Sequence, residues 1–280
     1  MLKLESVSKE FYSKEGKARI ALRDINGEFF LGDVIAVIGE NGSGKSTLLN
    51  IIATFLKPSS GNVLFDGHDV FKNLKEYRGM ISYVSEKGAF IPELSASENL
   101  EYFRKLFEAK TNIIEISERV GIKELLKSKP ENLSKGQRQR LSLAISMLKN
   151  SKIILLDEPA EGLDIETKEV VKSIMREYKE SDKLVFYVTH DEDEIEEVCN
   201  KIIVLRAGEE GFVGTKEEFW QRYEKFYKVV YEVDGKRKVE VMSLDELNKR
   251  KSEIKILHLR NLRLREIINF IENMKEDETS

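Results

Sequence analysis

Cysteine is nearly absent. Cys199 is the only one in 280 residues, so no disulfide framework staples the fold and no cysteine-based zinc site can form. Glutamine is almost as scarce, occurring only at Gln137, Gln139 and Gln221 amid abundant Lys and Glu, a balance that leans weakly toward hyperthermophile composition. Long apolar runs are missing too. Stretches such as Ile153 to Leu156 have the length of a core strand, far short of the roughly 20 residues that span a bilayer. The N-terminal Met1-Leu2-Lys3-Leu4-Glu5 puts a carboxylate where a signal peptide would need its apolar stretch. Neither charge sign dominates: 46 Lys and Arg face 50 Asp and Glu, a formal net charge of −4, and the sequence pI is about 5.7. That balance gives no support to a whole-domain nucleic-acid binder. A soluble, intracellular, cytoplasmic chain is expected.

What is present points to a globular α/β protein. Hydrophobic residues make up 41% and charged residues 34%, enough for a sizeable core in one large or two modest domains. Val34 to Ile38 is a β-branched run that ends at a glycine cluster, and an apolar-faced helix follows from Ser46, the opening of a parallel α/β unit. Further strands are expected at Asn62 to Phe65, Ile81 to Val84, Ile153 to Leu156, Leu184 to Val188 and Ile202 to Leu205. Between about Glu93 and Asn150 the character is helical, so a helical insert interrupts the α/β core. From about Trp220 the pattern changes again: a β-hairpin turning at Asp234-Gly235, a third strand at Ile254 to Leu259, a terminal helix from Leu264, and a frayed Lys275-to-Ser280 tail.

Gly39-Glu40-Asn41-Gly42-Ser43-Gly44-Lys45-Ser46 fits the pattern G-x-x-x-x-G-K-[ST]. The glycines let successive N–H groups curl around phosphate oxygens at the positive end of the following helix. The nucleotide-binding set comprises Gly39, Asn41, Gly42, Ser43, Gly44, Lys45, Ser46 and Thr47. Lys45 places a cation on the β- and γ-phosphates, and the Ser46 hydroxyl can ligand Mg²⁺. Downstream, the apolar run Ile153 to Leu156 ends in Asp157-Glu158. Asp157 suits the Mg²⁺ shell, and Glu158 suits a base that activates the attacking water.

Leu133-Ser134-Lys135-Gly136-Gln137 completes an ordered set with the phosphate loop, Leu156-Asp157-Glu158-Pro159 and Thr189-His190. Over roughly residues 2 to 215 the chain resembles the ATP-binding subunits of ABC transporters. The resemblance implies a P-loop NTPase core with a parallel sheet, an antiparallel β subdomain, an inserted helical subdomain (about 87–150) and, in this chain, a small C-terminal α/β appendage; the ATP-binding domain takes 1–219 and the appendage 220–280. It implies that two copies pair head to tail, so that Ser134, Gly136 and Gln137 of one subunit cover the ATP on the other's loop. Phe11 takes the adenine-stacking position, with Tyr12 as its adjacent competitor. His190 resembles the switch histidine that contacts the γ-phosphate, making Glu158, His190 and Lys45 the catalytic group. Asp164, in Gly162-Leu163-Asp164, resembles the loop that crosses the dimer interface. The acidic run after His190, Asp191 to Glu194, reads as a solvated helix start.

The chain departs from the family pattern twice. Glu86 stands where glutamine is usual, giving Ser46, Asp157 and Glu86 as the metal set, and Lys135 stands where glycine is commoner. The implied function is ATP hydrolysis, with ATP and Mg²⁺, driving a separate transmembrane permease from the inner face of the cell membrane. Export is favoured by the signature, the Glu161-to-Asp164 loop and the appendage. Phe90, Pro92 and Glu93 resemble the segment that docks on the permease. The alternative is a soluble ABC-type ATPase, such as a cluster-assembly subunit.

Overall fold

The computed structural model describes residues 1–14, 16–85 and 88–273, with side chains to 271. Glu86 therefore lies outside the described residues, as does the 275–280 tail. In chain order the elements begin with strands β1 (Leu2–Tyr12), β2 (Ala18–Phe29) and β3 (Val34–Ile38), helix α1 (Lys45–Ile52), strands β4 (Ser60–Phe65) and β5 (His68–Asp69), helix α2 (Leu74–Gly79) and strand β6 (Ile81–Val84). Three helices follow: α3 (Ala96–Leu106), α4 (Ile113–Arg119) and α5 (Lys135–Leu148). The α/β alternation then resumes with β7 (Ile153–Asp157), α6 (Ile165–Glu180), β8 (Leu184–Val188), α7 (Glu192–Val198), β9 (Lys201–Arg206) and β10 (Glu209–Thr215). The chain continues through α8 (Lys216–Tyr223), β11 (Phe226–Val233), β12 (Lys236–Ser243), α9 (Leu244–Arg250), β13 (Lys255–Asn261) and α10 (Leu264–Asn273).

The central sheet has the order β10-β9-β3-β8-β7-β6. Its pairs are parallel except for the β10–β9 edge. Such strands are buried on both faces and so read as unbroken apolar runs; all five residues of β3 are buried. The period of two sorts them. Val34, Ala36, Ile38, Ile154 and Leu156 point into one core, while Ile35, Val37, Ile153 and Leu155 point into the other. Helices α3 to α7 cover the first face; α1 and the sheet β2-β1-β4-β5 cover the second. The helical insert thus sits between β6 and β7, and its first helix is started by a capping box in which Ser95 and Glu98 satisfy each other's backbone N–H groups.

The last segment builds the sheet β12-β11-β13 over a small core of Val229, Tyr231, Met242, Leu247 and Ile254. Helix α10 leaves that sheet. Its Leu264, Ile267, Ile268 and Ile271 join the main core with Ile202, Val204 and Phe212, and Arg206 donates to the Ile271 carbonyl at 3.2 Å. The terminal helix is therefore anchored on the central sheet, near the strand ends where the loops of an open α/β sheet bind ligands.

Candidate active site

Three segments at the carboxyl ends of neighbouring parallel strands converge: 39–44 after β3, Asp157-Glu158 at the end of β7 and Thr189-His190 after β8. In the first, Gly39 and Gly44 have φ of 150° and 109°; a Cβ on Gly39 would lie 2.1 Å from the Leu205 carbonyl oxygen, and one on Gly44 2.6 Å from that of Ala21. Only glycine fits there. Lys45 is buried and donates to the carbonyls of Gly39 at 2.8 Å and Glu40 at 3.1 Å. Burial lowers its pKa, against the pull of Glu158, Asp157 and Glu161. Ser43 Oγ is buried with no hydrogen-bond partner among the described residues, a hydroxyl that the loop itself does not satisfy.

A cavity of about 320 Å³ opens on this loop, lined by Asn41, Gly42, Gly44, Lys45, Ser46 and Thr47, with Glu158 at one side and Phe11 at another. Of the two aromatic candidates, Phe11 is on the wall; Tyr12 is 68% exposed and donates to Glu10. Alternation alone does not separate them, because β1 carries irregularities on both sides of Lys9. Arg19, which the motifs did not point to, pairs in register with Phe11 and lines the same cavity.

Ser46 Oγ donates to Asp157 Oδ1 at 3.2 Å, and the Tyr83 hydroxyl donates to Asp157 Oδ2 at 2.9 Å. Burial and then the neighbouring Asp157 charge raise the Tyr83 pKa, so it stays a donor. A hydroxyl beside a carboxylate is a hard-oxygen pair of the kind Mg²⁺ takes, and the residues fit that ion. Glu158 follows in the left-handed region, φ 52°, which turns its side chain away from the strand line. His190 Nε2 is 3.9 Å from Glu158 Oε1. Burial, then Lys45, lowers the His190 pKa, which favours the neutral imidazole at pH 7.

The run after His190 departs from the expected solvated helix start. Asp191 caps α7 and pairs with Lys168 at 2.6 Å, but Glu194 is only 2% exposed. Its carboxylate accepts from Tyr187 Oη at 2.5 Å and from Thr189 Oγ1, so it fixes the turn that carries His190. The three-residue step from Asp191 turns Glu194 inward, a consequence of helical period that the acidic composition masked.

Ser134 and Gln137 form a capping box at the start of α5, and Asp164 caps α6 by accepting from Thr167 N–H at 2.8 Å. A Cβ on Gly136 would lie 2.8 Å from Thr167 Oγ1 and 3.0 Å from Asp164 Oδ2. Buried Arg140 joins the two helices through Thr167 and Glu166. Ser134, Gly136, Gln137 and Asp164 line neither the cavity at the phosphate loop nor the one beside His190. Within one chain the structure does not bring the signature to the loop.

Residues 22–161 match the ABC transporter family model. The chain belongs to the ABC transporter family. It is an ATP-binding subunit and an ATPase. The ABC transporter ATP-binding protein NatA of Bacillus subtilis (strain 168) is 32% identical over 228 residues, covering 79% of this chain and 92% of NatA. The linearmycin resistance ATP-binding protein LnrL of the same organism is 29% identical over 227 residues, covering 79% and 71%. Among solved structures, the dimeric ATP-binding cassette MJ0796 bound to ADP and Pi is 30% identical with a TM-score of 0.69, covering 77% of this chain and 98% of that one. The expected P-loop NTPase fold is the one observed.

Proposed function

We propose that this ABC ATPase closes head to tail with a second copy, or a homologous subunit, over two ATP-Mg²⁺ and thereby drives a separate membrane-spanning permease. The observation behind this reading is the separation just described: each chain holds a complete phosphate loop and, elsewhere, a capped signature helix, so neither half-site is whole without a partner. Phe11 stacks on adenine, the loop and Lys45 hold the phosphates, and Ser46 and Asp157 hold the metal. Mg²⁺ held by that pair would supply charge compensation for the phosphates. Glu158 takes the proton of the attacking water, and neutral His190 orients the γ-phosphate side. Ser134 and the Gly136 amide close the partner's site at a helix N-terminus. Loss of the γ-phosphate contacts on hydrolysis releases the closed pair.

No helix among the described residues is long and apolar enough to cross a membrane; in this reading the permease is a separate chain. A groove of about 230 Å³ between the helical insert and the core offers it a place to dock. Phe55, Tyr83, Phe103, Phe107 and Ile145 line it, and Phe55 is 61% exposed. The direction we read is export, on the signature, the Glu161-to-Asp164 loop and the appendage.

The test is the full chain carrying Glu158→Gln, run on size exclusion with ATP and Mg²⁺. Turnover is lost and a nucleotide-bound dimer accumulates; a variant that hydrolyses ATP at the wild-type rate, or binds ATP and stays monomeric, overturns the reading.

A further inference from the structure

Beside the phosphate loop lies a second cavity of about 660 Å³, and one of its walls comes from the C-terminal appendage. Glu40, Glu158, Glu161 and His190 form the near wall; Arg265, Ile268 and Asn269 of α10 form the far one. These three occupy positions i, i+3 and i+4, one face of the helix. The next face, with Leu264, Ile267 and Ile271, is buried against the core. The helix is thus held by packing while Arg265 remains exposed.

The charges around Arg265 differ from those around the ion-paired cations of the appendage. Lys228 and Arg260 are paired with Glu266, and Arg250 with Glu240. The Arg265 side chain has no hydrogen bond or ion pair among the described residues. Among the described residues, Arg265 is the one Lys or Arg lining this cavity, which also carries three carboxylates. Its charge reaches far enough to act on His190, as burial and Lys45 do, against protonation. A terminal phosphate held by Lys45 would face Glu158 and Glu161 across this cavity. Among the described residues that line the cavity, only the guanidinium supplies an opposing permanent charge, while Lys45 reaches Glu158 and Glu161 from the loop. A guanidinium is also suited to phosphate oxygens, which it can meet with two parallel N–H donors.

We propose that Arg265 binds the γ-phosphate of the ATP held on its own chain's loop, so that the C-terminal appendage supplies a residue of the nucleotide site and discriminates ATP from ADP. This deepens the ATPase reading and rests on it. ADP lacks the group that Arg265 meets, and its β-phosphate stays with Lys45 and the loop amides. When the γ-phosphate leaves, α10 loses the tie that Arg265 makes to the nucleotide, so the appendage senses which nucleotide is bound.

The experiment titrates the full chain with the hydrolysis-resistant analogue AMP-PNP and separately with ADP, both with Mg²⁺, at protein concentrations where it is monomeric. Arg265→Ala is expected to weaken AMP-PNP roughly tenfold while leaving ADP unchanged, and Arg265→Lys to recover part of the loss. An Arg265→Ala variant that weakens both nucleotides alike, or neither, overturns the proposal. So does one whose ATPase rate exceeds that of the wild type, because that marks Arg265 as a plug on Glu158. Urea midpoints check that α10 stays docked, and Arg265→Gln, which keeps more of the side-chain volume, carries the same test if the alanine variant fails to fold. A wild-type chain that binds neither nucleotide sinks the ATPase reading itself; wild-type binding with no effect of any Arg265 variant sinks only the role of Arg265.

Discussion

Tyr83 touches two places at once: its hydroxyl donates to Asp157 Oδ2 at 2.9 Å, and its ring packs edge-on against Phe55 with 5.5 Å between centroids. Phe55 and Tyr83 line the apolar groove between insert and core, and Asp157 stands beside Ser46 in the nucleotide site. A single side chain therefore spans the distance between the apolar groove and the Asp157 carboxylate beside the phosphate loop.

Tyr83→Phe keeps the ring and removes the hydrogen bond. A bond to a charged acceptor is worth about 1.5–3 kcal/mol, so the Mg²⁺ concentration giving half-maximal ATPase should rise roughly tenfold or more. ATP binding measured without metal should be unchanged. Identical Mg²⁺ titrations for the two proteins would show that Asp157 does not depend on this donor.

Glu194→Ala should destabilise the chain. It leaves the Tyr187 and Thr189 hydroxyls without their buried acceptor, at a cost of about 1–3 kcal/mol for each orphaned group. Thermal unfolding reads that loss. Because Thr189 precedes His190, kcat should fall as well, with little change in KM. A variant as stable and as fast as the wild type would place the turn's support elsewhere.

His190 gives a pH prediction whose sign is fixed by its environment. Burial, then Lys45, lowers its pKa below the ordinary 6.5, so between the native and ordinary values the unfolded chain binds the proton more readily than the folded one. Its contribution to stability is thus fully present above 6.5 and is lost as pH falls through that window. Urea midpoints measured at stepwise lower pH should drop less in His190→Gln than in the wild type. Parallel curves would remove His190 from the account.

Gly136→Ala tests the junction of α5 and α6. The added methyl meets Thr167 Oγ1 and the Asp164 carboxylate, an overpacking cost of about 1–3 kcal/mol set against about 1 kcal/mol of improved helix propensity. The urea midpoint should fall, and ATP-driven dimerisation should weaken further than stability alone explains. A raised midpoint would mean that the two helices separate freely.

How legible the site was depends on how local its determinants are. The phosphate loop could be read because Gly39, Gly44 and Lys45 are contiguous and each answers a local backbone or phosphate requirement. Asp157-Glu158 could be read because β7 is apolar up to its last residues. The parallel sheet was legible for the same reason: strands buried on both faces leave unbroken runs such as Val34 to Ile38. Tyr83, Arg19 and Arg265 belong to the site through tertiary packing, and nothing adjacent in the chain marks them. Glu194 was misread because four acids in a row resemble a solvated surface, while helix rotation buries the fourth. Phe11 and Tyr12 could not be separated by alternation because the bulged strand breaks its own period.

The close approach at Gly136 has one more consequence. The tip of α5 that would lie over a partner's nucleotide has its glycine set against the cap of α6, and Arg140 ties the two helices together. Little slack remains in that joint. A displacement felt by the signature is therefore delivered at once to the Asp164 cap of α6. The two helix starts move as one piece, and neither cap can shift alone.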